Sequence, residues 1–368
     1  MTFTNELGTK LSTRSRHVCT FLGAGISKAC GLPDVATLEQ DVVGGLEGDE
    51  QEALQAQLED RNLEQTLSRL RRISSLVSGD ERVDGLTGTD AAQLDNNICR
   101  LIVGRLAVDQ ANLAPALQFV SWAGRTSYSR PVEIFTVNYD LLLETSLERL
   151  GIPYFDGFVG YLTGRFRTDL VEAKPTDEEA WLPRFVARLW KLHGSVNWRW
   201  DSEHSSTVSR LGTTVSEGEP AAIYPSDAKY EESRRVPFVV LQDRFRRALQ
   251  EPETLLLVCG YSWSDAHLNE MIFEAARRHP RSEIISFCYS TIPEELANEA
   301  VATPNLQVVA QKEAIIGAIR GAWQEPTEAP PETVWMNTTR GAPSGTPANA
   351  RSGRLNPGRC GPSPTMYS

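Results

Sequence analysis

Apolar residues dominate six short blocks: Val18–Leu22, Val132–Val137, Val186–Leu192, Leu255–Cys259, Glu283–Tyr289 and Leu306–Ala310. Blocks of this length, bounded by glycine or polar residues, predict buried strands. Between them the period changes. Leu54, Leu58, Leu63, Leu67, Leu70 and Ile73 recur at spacings of three to five, the mark of a helical apolar face. Helices are therefore expected over Leu38–Val77 and Ala91–Trp122, separated by the polar loop Gly79–Asp90. Further helices are expected over Leu141–Leu150, capped by Asp140, over Val236–Gln250, over Asp265–Arg278, capped by Ser264, and over Lys312–Trp323. Gly151–Thr163 is aromatic and punctuated by glycine, which predicts short strands and turns. Residues 171–180 and 203–220 read as polar loops, and Val196–Trp200 as extended chain.

Strands that alternate with helices, with polar or glycine residues at their carboxyl ends, predict an open, mostly parallel α/β sheet with helices on both faces. Ligands bind such sheets at the carboxyl ends of the strands. Residues 1–16 form a polar lead-in, frayed or briefly helical. The main domain is expected over residues 17–323, with a helical insertion over about 38–122 that exceeds what one crossover requires. Residues 324–368 are dense in proline, glycine and serine, which predicts disorder because little apolar surface is available to offset ordering.

The net charge of -11 argues against a dedicated nucleic-acid coat. Arg234, Arg235, Arg244, Arg246 and Arg247 make a local basic run, a solvated face or a contact for an acidic partner. The six cysteines are scattered with no Cys-x-x-Cys, so no four-cysteine zinc module is expected. Reduced cysteines suit the cytosol. No apolar run approaches the roughly 20 residues that a membrane span needs.

Four strand ends carry distinctive groups. The first runs into Gly23-Ala24-Gly25 and the start of a helix bearing Ser27. Glycines there would let the backbone approach a phosphate, and helix N–H groups would face it. The turn lacks the third glycine of the usual dinucleotide fingerprint, since Lys28 stands in its place. The second strand delivers Thr136 and Asn138 on one face, then Asp140. The third ends at His193-Gly194, and the fourth at Gly260-Tyr261-Ser262. Singly each has an ordinary explanation: a turn amide, a helix cap, a structural histidine. Together, in order, they form a constellation on one rim. Trp181, Trp190, Trp198 and Trp200 surround His193 in sequence, as core packing or as a lid.

The order of these motifs (GAGIS with GLPD, TVNYD, LHGS and GYS) resembles the sirtuin family over about residues 17–310. The resemblance implies a Rossmann-like fold and NAD as substrate. It implies that Gly23, Ala24, Gly25 and Ser27 hold the NAD phosphates and that Asp34 lies near the nicotinamide. It places Thr136, Asn138 and Asp140 about the nicotinamide ribose, makes His193 the catalytic base, and sets Gly260 and Ser262 on the adenosine-phosphate side. The chain departs from that pattern where Val35 and Ala36 follow the Pro-Asp step, and where Val137 precedes Asn138. It also lacks the four-cysteine zinc ribbon between His193 and Gly260. LHGSVNW, Tyr224-Pro225 with Lys229, and GYSWSD are instead similar to the zinc-less, sirtuin-like effector domains of bacterial antiphage defence systems.

That resemblance implies a cytoplasmic, oligomeric NAD hydrolase that yields nicotinamide and ADP-ribose without a metal. Its trigger would come from a sensor partner such as a HerA-type ATPase or an Argonaute, with no direct nucleic-acid binding. The alternatives are an NAD-dependent protein deacylase and a non-catalytic sensor of NAD or ADP-ribose.

Overall fold

The protein is described here by a computed structural model that covers residues 3–13, 15–125, 128, 130–173, 187–201, 207–215 and 236–323. The strands are β1 (Val18–Leu22), β2 (Glu133–Thr136), β3 (Tyr154–Phe155), β4 (Phe158–Val159), β5 (Thr163–Phe166), β6 (Ala187–Lys191), β7 (Trp198–Asp201), β8 (Thr207–Leu211), β9 (Leu255–Cys259), β10 (Glu283–Phe287), β11 (Leu306–Val309), β12 (Glu313–Ile316) and β13 (Ile319–Ala322). All six expected blocks form strands of one sheet, ordered β13-β12-β11-β10-β9-β1-β2-β6-β3. Its pairings are parallel from β11 through to β3. β1 lies between β2 and β9, and later strands are added outward on both sides of it. This is the α/β arrangement in which the crevice at the strand carboxyl ends binds ligands.

Burial explains the continuous apolar runs. β1, β2 and β6 are buried at every position, because helices cover both faces of a parallel sheet. One face packs Phe21, Phe135, Trp190 and Leu256 against Phe238, Leu241 and Phe245 of the helix Phe238–Gln250. The other packs Leu22, Ile134 and Leu189 against Val120, Leu143 and Leu147. Trp190 and Trp198 are buried in the core of the first face, as packing and not as a lid, and half-buried Trp200 packs against that core; Trp181 lies outside the described residues.

The helical insertion is divided differently from the periodicity. Leu38–Val77 holds three helices, Val35–Gly45, Gly48–Leu58 and Leu63–Leu76, and Ala91–Trp122 holds two, Gly88–Arg105 and Ala114–Arg125. The break before Leu63 is fixed by Asn62, whose side chain accepts from the Gln65 N–H while Gln65 caps the Asn62 N–H in return. The first four of these helices share a core of their own, built on Leu54, Leu67, Leu70, Leu94 and Ile98. The helix Ala114–Arg125 instead packs on the sheet through Val120 and Ala123. The shared apolar period hid this division because two cores recruit the same residue types.

Several other expectations are corrected. Lys312–Trp323 is a hairpin, β12 and β13 pairing antiparallel across Gly317 and Ala318, both with positive φ. That two-residue turn matches strand twist and overrides helical spacing. A second sheet, ordered β4-β5-β8-β7 and antiparallel, gathers residues 158–166 with 198–211. The lead-in is the helix Phe3–Ser12, whose Phe3, Leu7 and Leu11 pack on Leu255, Leu257 and Ile285. The arginine run does not form one surface patch, since Arg244 is buried against Glu133 while Arg246 and Arg247 pair with Asp243 and Glu172. Arg234, Arg235, Tyr224, Pro225, Lys229, most of the two polar loops and the tail 324–368 lie outside the described residues. Among the described residues no helix is long and apolar enough to cross a membrane.

Candidate functional site

The register of the sheet assembles the rim. Leu22, at the end of β1, pairs with Thr136 of β2 on one side and with Cys259 of β9 on the other. Gly23 therefore emerges between the second and fourth strand ends. On the far side of β2, Thr136 pairs with Lys191 of β6, and Asn138 and His193 each lie two residues beyond that pair.

The two glycine turns are packed backbone to backbone. The Gly23 N–H donates to the Cys259 carbonyl at 3.0 Å and the Gly25 N–H to the Gly260 carbonyl at 2.8 Å. A Cβ on Gly23 or Gly25 would come within 2.6 Å of Gly260 backbone atoms or Tyr261 Cα, a distance real side chains do not tolerate. Gly260 has φ +64 and would clash with the Ile26 nitrogen at 2.8 Å. The glycines are thus explained by the approach of the second turn.

Ser27 is also committed within the protein. It is buried, donates to Asp140 Oδ2 at 2.5 Å and accepts from Asn138 Nδ2 at 3.0 Å. The second N–H of that amide donates to the Gly23 carbonyl at 3.0 Å. With its nitrogen engaged twice, half-buried Asn138 has its amide orientation fixed from the donor side, and Oδ1 is its acceptor end. Thr136 supports it from below, its hydroxyl donating to the Leu22 carbonyl at 3.0 Å and accepting from the Asn138 N–H at 3.1 Å. Asp140 is buried, and its Oδ1 accepts from the Leu142 N–H at 3.0 Å. Both carboxylate oxygens face protein donors, so Asp140 positions Ser27 and the following helix, Leu142–Arg149.

Sequence reasoning missed a brace beneath this network. Lys191, buried in β6, donates to the Tyr139 carbonyl at 3.3 Å, to the Asp140 carbonyl, and to Glu144 Oε1 at 2.9 Å. Burial raises the Glu144 pKa against the pull of Lys191. The same Tyr139 carbonyl accepts from the Val196 N–H at 2.9 Å and the Ser195 hydroxyl at 3.3 Å. The turn carrying Asn138 and the turn carrying His193 are thereby stitched together. A lysine inside a fully buried strand was the available signal.

His193 is buried, and its Nε2 lies 3.6 Å from Asp265 Oδ2. Asp265, not Ser264, caps the helix Ala266–Arg278; its Oδ1 accepts from the N–H groups of His267 and Leu268. Ser262 and Ser264 are exposed, with their hydroxyls 2.8 Å apart. Asp34 stands apart from the network. It caps the helix Val35–Gly45 through Thr37 and pairs with Lys28 at 2.5 Å, and that hydrogen bond holds its carboxyl well below the usual range.

Metal-ligand residue types come together at one described place, at the opposite end of the sheet: His17, Cys19 and Glu133, all buried. Glu133 Oε2 accepts from Trp190 Nε1 at 2.8 Å and Arg244 Nε at 2.7 Å, and Oε1 lies 2.8 Å from His17 Nε2. A cation here would confront a guanidinium already paired with the carboxylate, so the donor set does not fit a metal. Burial raises the Cys19 thiol, which stays protonated at neutral pH.

Residues 132–309, from the start of the second strand to the end of β11, match the family described as the SIR2-like domain. Over this segment the chain is similar to the SIR2-like family. Asn138, Asp140, His193, Gly260 and Asp265 all fall inside the matched segment, whereas Gly23, Gly25 and Ser27 precede it. Two solved structures that the chain resembles are a Sir2 homolog in complex with NAD and a structure described as the structural basis for sirtuin substrate affinity. The first is 14% identical, covers 78% of this chain and 83% of its own, and has a TM-score of 0.40. The second is 13% identical, covers 80% and 89%, and has a TM-score of 0.38. At that distance no residue role transfers from them. No curated protein matches the sequence.

Proposed function

We propose that this protein is an NAD hydrolase. The observation that carries the reading is the fixed amide of Asn138, held by Ser27 and the Gly23 carbonyl, on a turn stitched through Tyr139 to the turn of His193. In the overall reaction, NAD and water give nicotinamide, ADP-ribose and a proton. The bond from ribose C1′ to the pyridinium nitrogen breaks and its electron pair returns to nicotinamide. A bond from C1′ to the water oxygen forms.

The transition state is oxocarbenium-like, as in glycoside cleavage. Asn138 Oδ1 accepts from a ribose hydroxyl or from the attacking water and holds it in line. His193 takes the proton released. The diphosphate lies along the rim formed by the paired turns, within reach of the exposed Ser262 and Ser264 hydroxyls. Asp140 serves this chemistry indirectly, through Ser27. As an effector of this kind the protein would act by depleting NAD, as an oligomer and under a sensor partner.

The test is to incubate the full chain with NAD and quantify nicotinamide and ADP-ribose, with Asn138→Ala and His193→Ala alongside. Loss of product in both variants supports the assignment. Product formation that neither substitution changes overturns it. An acyl-lysine peptide that is deacylated in step with NAD consumption would instead make the protein a deacylase.

A further inference from the structure

We propose that Asp265 is a positioning residue for His193: it holds the proton of the imidazole on Nε2 and so leaves Nδ1 as the basic nitrogen. The proposal rests on reading His193 as the base of the reaction above.

The contact is long in topology. His193 follows β6 and Asp265 follows β9, with β1 and β2 between those strands. Three strand spacings make about 14 Å. Neither side chain crosses that gap alone; the turns beyond the two strands converge over the rim. The result is an Oδ2 to Nε2 separation of 3.6 Å, with both side chains largely buried. That is ion-pair range and longer than a hydrogen bond. Contacts of this kind between catalytic groups commonly shorten when substrate closes a site.

The carboxylate is held by its backbone surroundings. Its other oxygen accepts from the His267 and Leu268 N–H groups at 3.0 and 3.2 Å, which fixes the plane of the group. The turn that delivers it is unusual. Trp263 has φ +61, a conformation that a bulky non-glycine residue seldom adopts. It is retained because its indole stacks on Phe273, its Nε1 donates to Ser286 at 3.3 Å, and its carbonyl accepts from Asn269 at 2.9 Å. Tyr261 ties the same turn to Asn269 Oδ1 at 2.9 Å. Backbone held in such a region by so many contacts marks a place where position matters. A helix cap alone needs only a serine or an asparagine. Here the cap carries a charge aimed at an imidazole from another strand.

A carboxylate beside one ring nitrogen selects the tautomer that donates to it, and the opposite nitrogen then offers its lone pair. When Nδ1 takes a proton, the same carboxylate faces the imidazolium.

The test has two arms. In the first, the full chain is labelled with 15N-histidine, and long-range nitrogen–proton spectra report the imidazole tautomers, His193 being assigned from the spectrum of His193→Gln. Wild type is expected with Nε2 protonated and Nδ1 bare. In Asp265→Asn, which keeps a competent cap, the two tautomers are expected to mix. In the second arm, NAD cleavage by Asp265→Asn should lose about 10- to 100-fold in kcat with KM within about twofold, at an unchanged melting temperature. A wild-type His193 protonated on Nδ1, or a tautomer that Asp265→Asn leaves unmoved, overturns the proposal whatever the activity. Cleavage that survives His193→Ala overturns the reading of His193 as base, and the tautomer arm still decides whether Asp265 sets the ring.

Discussion

Asn138 Nδ2 donates to Ser27 Oγ at 3.0 Å, and that hydroxyl donates in turn to Asp140 Oδ2 at 2.5 Å. An amide on the second strand end is thus oriented by a serine on the first, which is oriented in turn by a carboxylate two residues further on. Asn138→Asp keeps the shape but replaces the donor by an oxygen facing the Gly23 carbonyl and Ser27. NAD cleavage is expected to fall by at least about 100-fold, and stability by about 1–3 kcal/mol from the groups left unpaired. Ser27→Ala should do less to turnover, because the Gly23 carbonyl still holds the amide. Steady-state rates and urea unfolding of the two variants check this ordering.

Gly260→Ala places a methyl group 2.8 Å from the Ile26 nitrogen at φ +64. Backbone lies on the other side, so nothing flexible can yield. A loss of about 2–3 kcal/mol is expected, with weakened NAD binding as the two turns separate. Chemical denaturation and calorimetric titration with NAD measure both. A variant as stable as wild type would show that the turns do not depend on each other.

Lys191 and Glu144 form a buried pair at 2.9 Å beneath the Asn138 turn. Lys191→Met should cost about 3–5 kcal/mol, since it strands the Glu144 carboxylate. Adding Glu144→Leu should recover much of that loss in the unfolding midpoint while leaving the Tyr139 carbonyl without its lysine. The double variant is therefore expected to be folded but slower in NAD cleavage than wild type.

At the far end of the sheet, burial alone would lower the pKa of His17, but Cys19 and Glu133 outweigh it and raise it to about 10. The ionised Glu133, 2.8 Å from His17 Nε2, is one charge that favours imidazolium. A pKa raised on folding stabilises the native state below the unfolded value, near ~6.5, and that contribution fades as pH rises toward about 10. The melting temperature of wild type minus that of His17→Gln should therefore shrink between pH 6.5 and 10. A difference that stays flat over that interval would mean the imidazole is neutral in the folded protein.

Much of the scaffold could be read from the chain alone. The blocks ending at Leu22, Val137, Leu192 and Cys259 are mostly apolar because a parallel sheet covered on both faces buries nearly every side chain, so composition marks them directly. The groups at their carboxyl ends were legible because each block gives way there to polar and glycine residues. The hairpin Glu313–Ala322 was not, because ten residues of mixed pattern satisfy either period, and the two positive-φ residues at its tip show only in the backbone.

The amino-acid order by itself determined which strand ends carry Gly23, Asn138, His193 and Gly260, since local apolar burial fixes where each strand stops. What each group does was decided by the tertiary structure. Gly23 and Gly25 proved to pack against the second turn, and Ser27 to bond Asp140 and Asn138. Asp140 looked like a reacting group until Ser27 and the Leu142 N–H took both its oxygens. Asp265 looked like one polar residue among several until the turns after β6 and β9 converged on each other. Partners of this kind, whether hydrogen-bonded or in ion-pair range, lie from about 70 to 115 positions away in sequence. Only the strand order brings them within reach, because spacing along a chain holds no information on which strands will be neighbours.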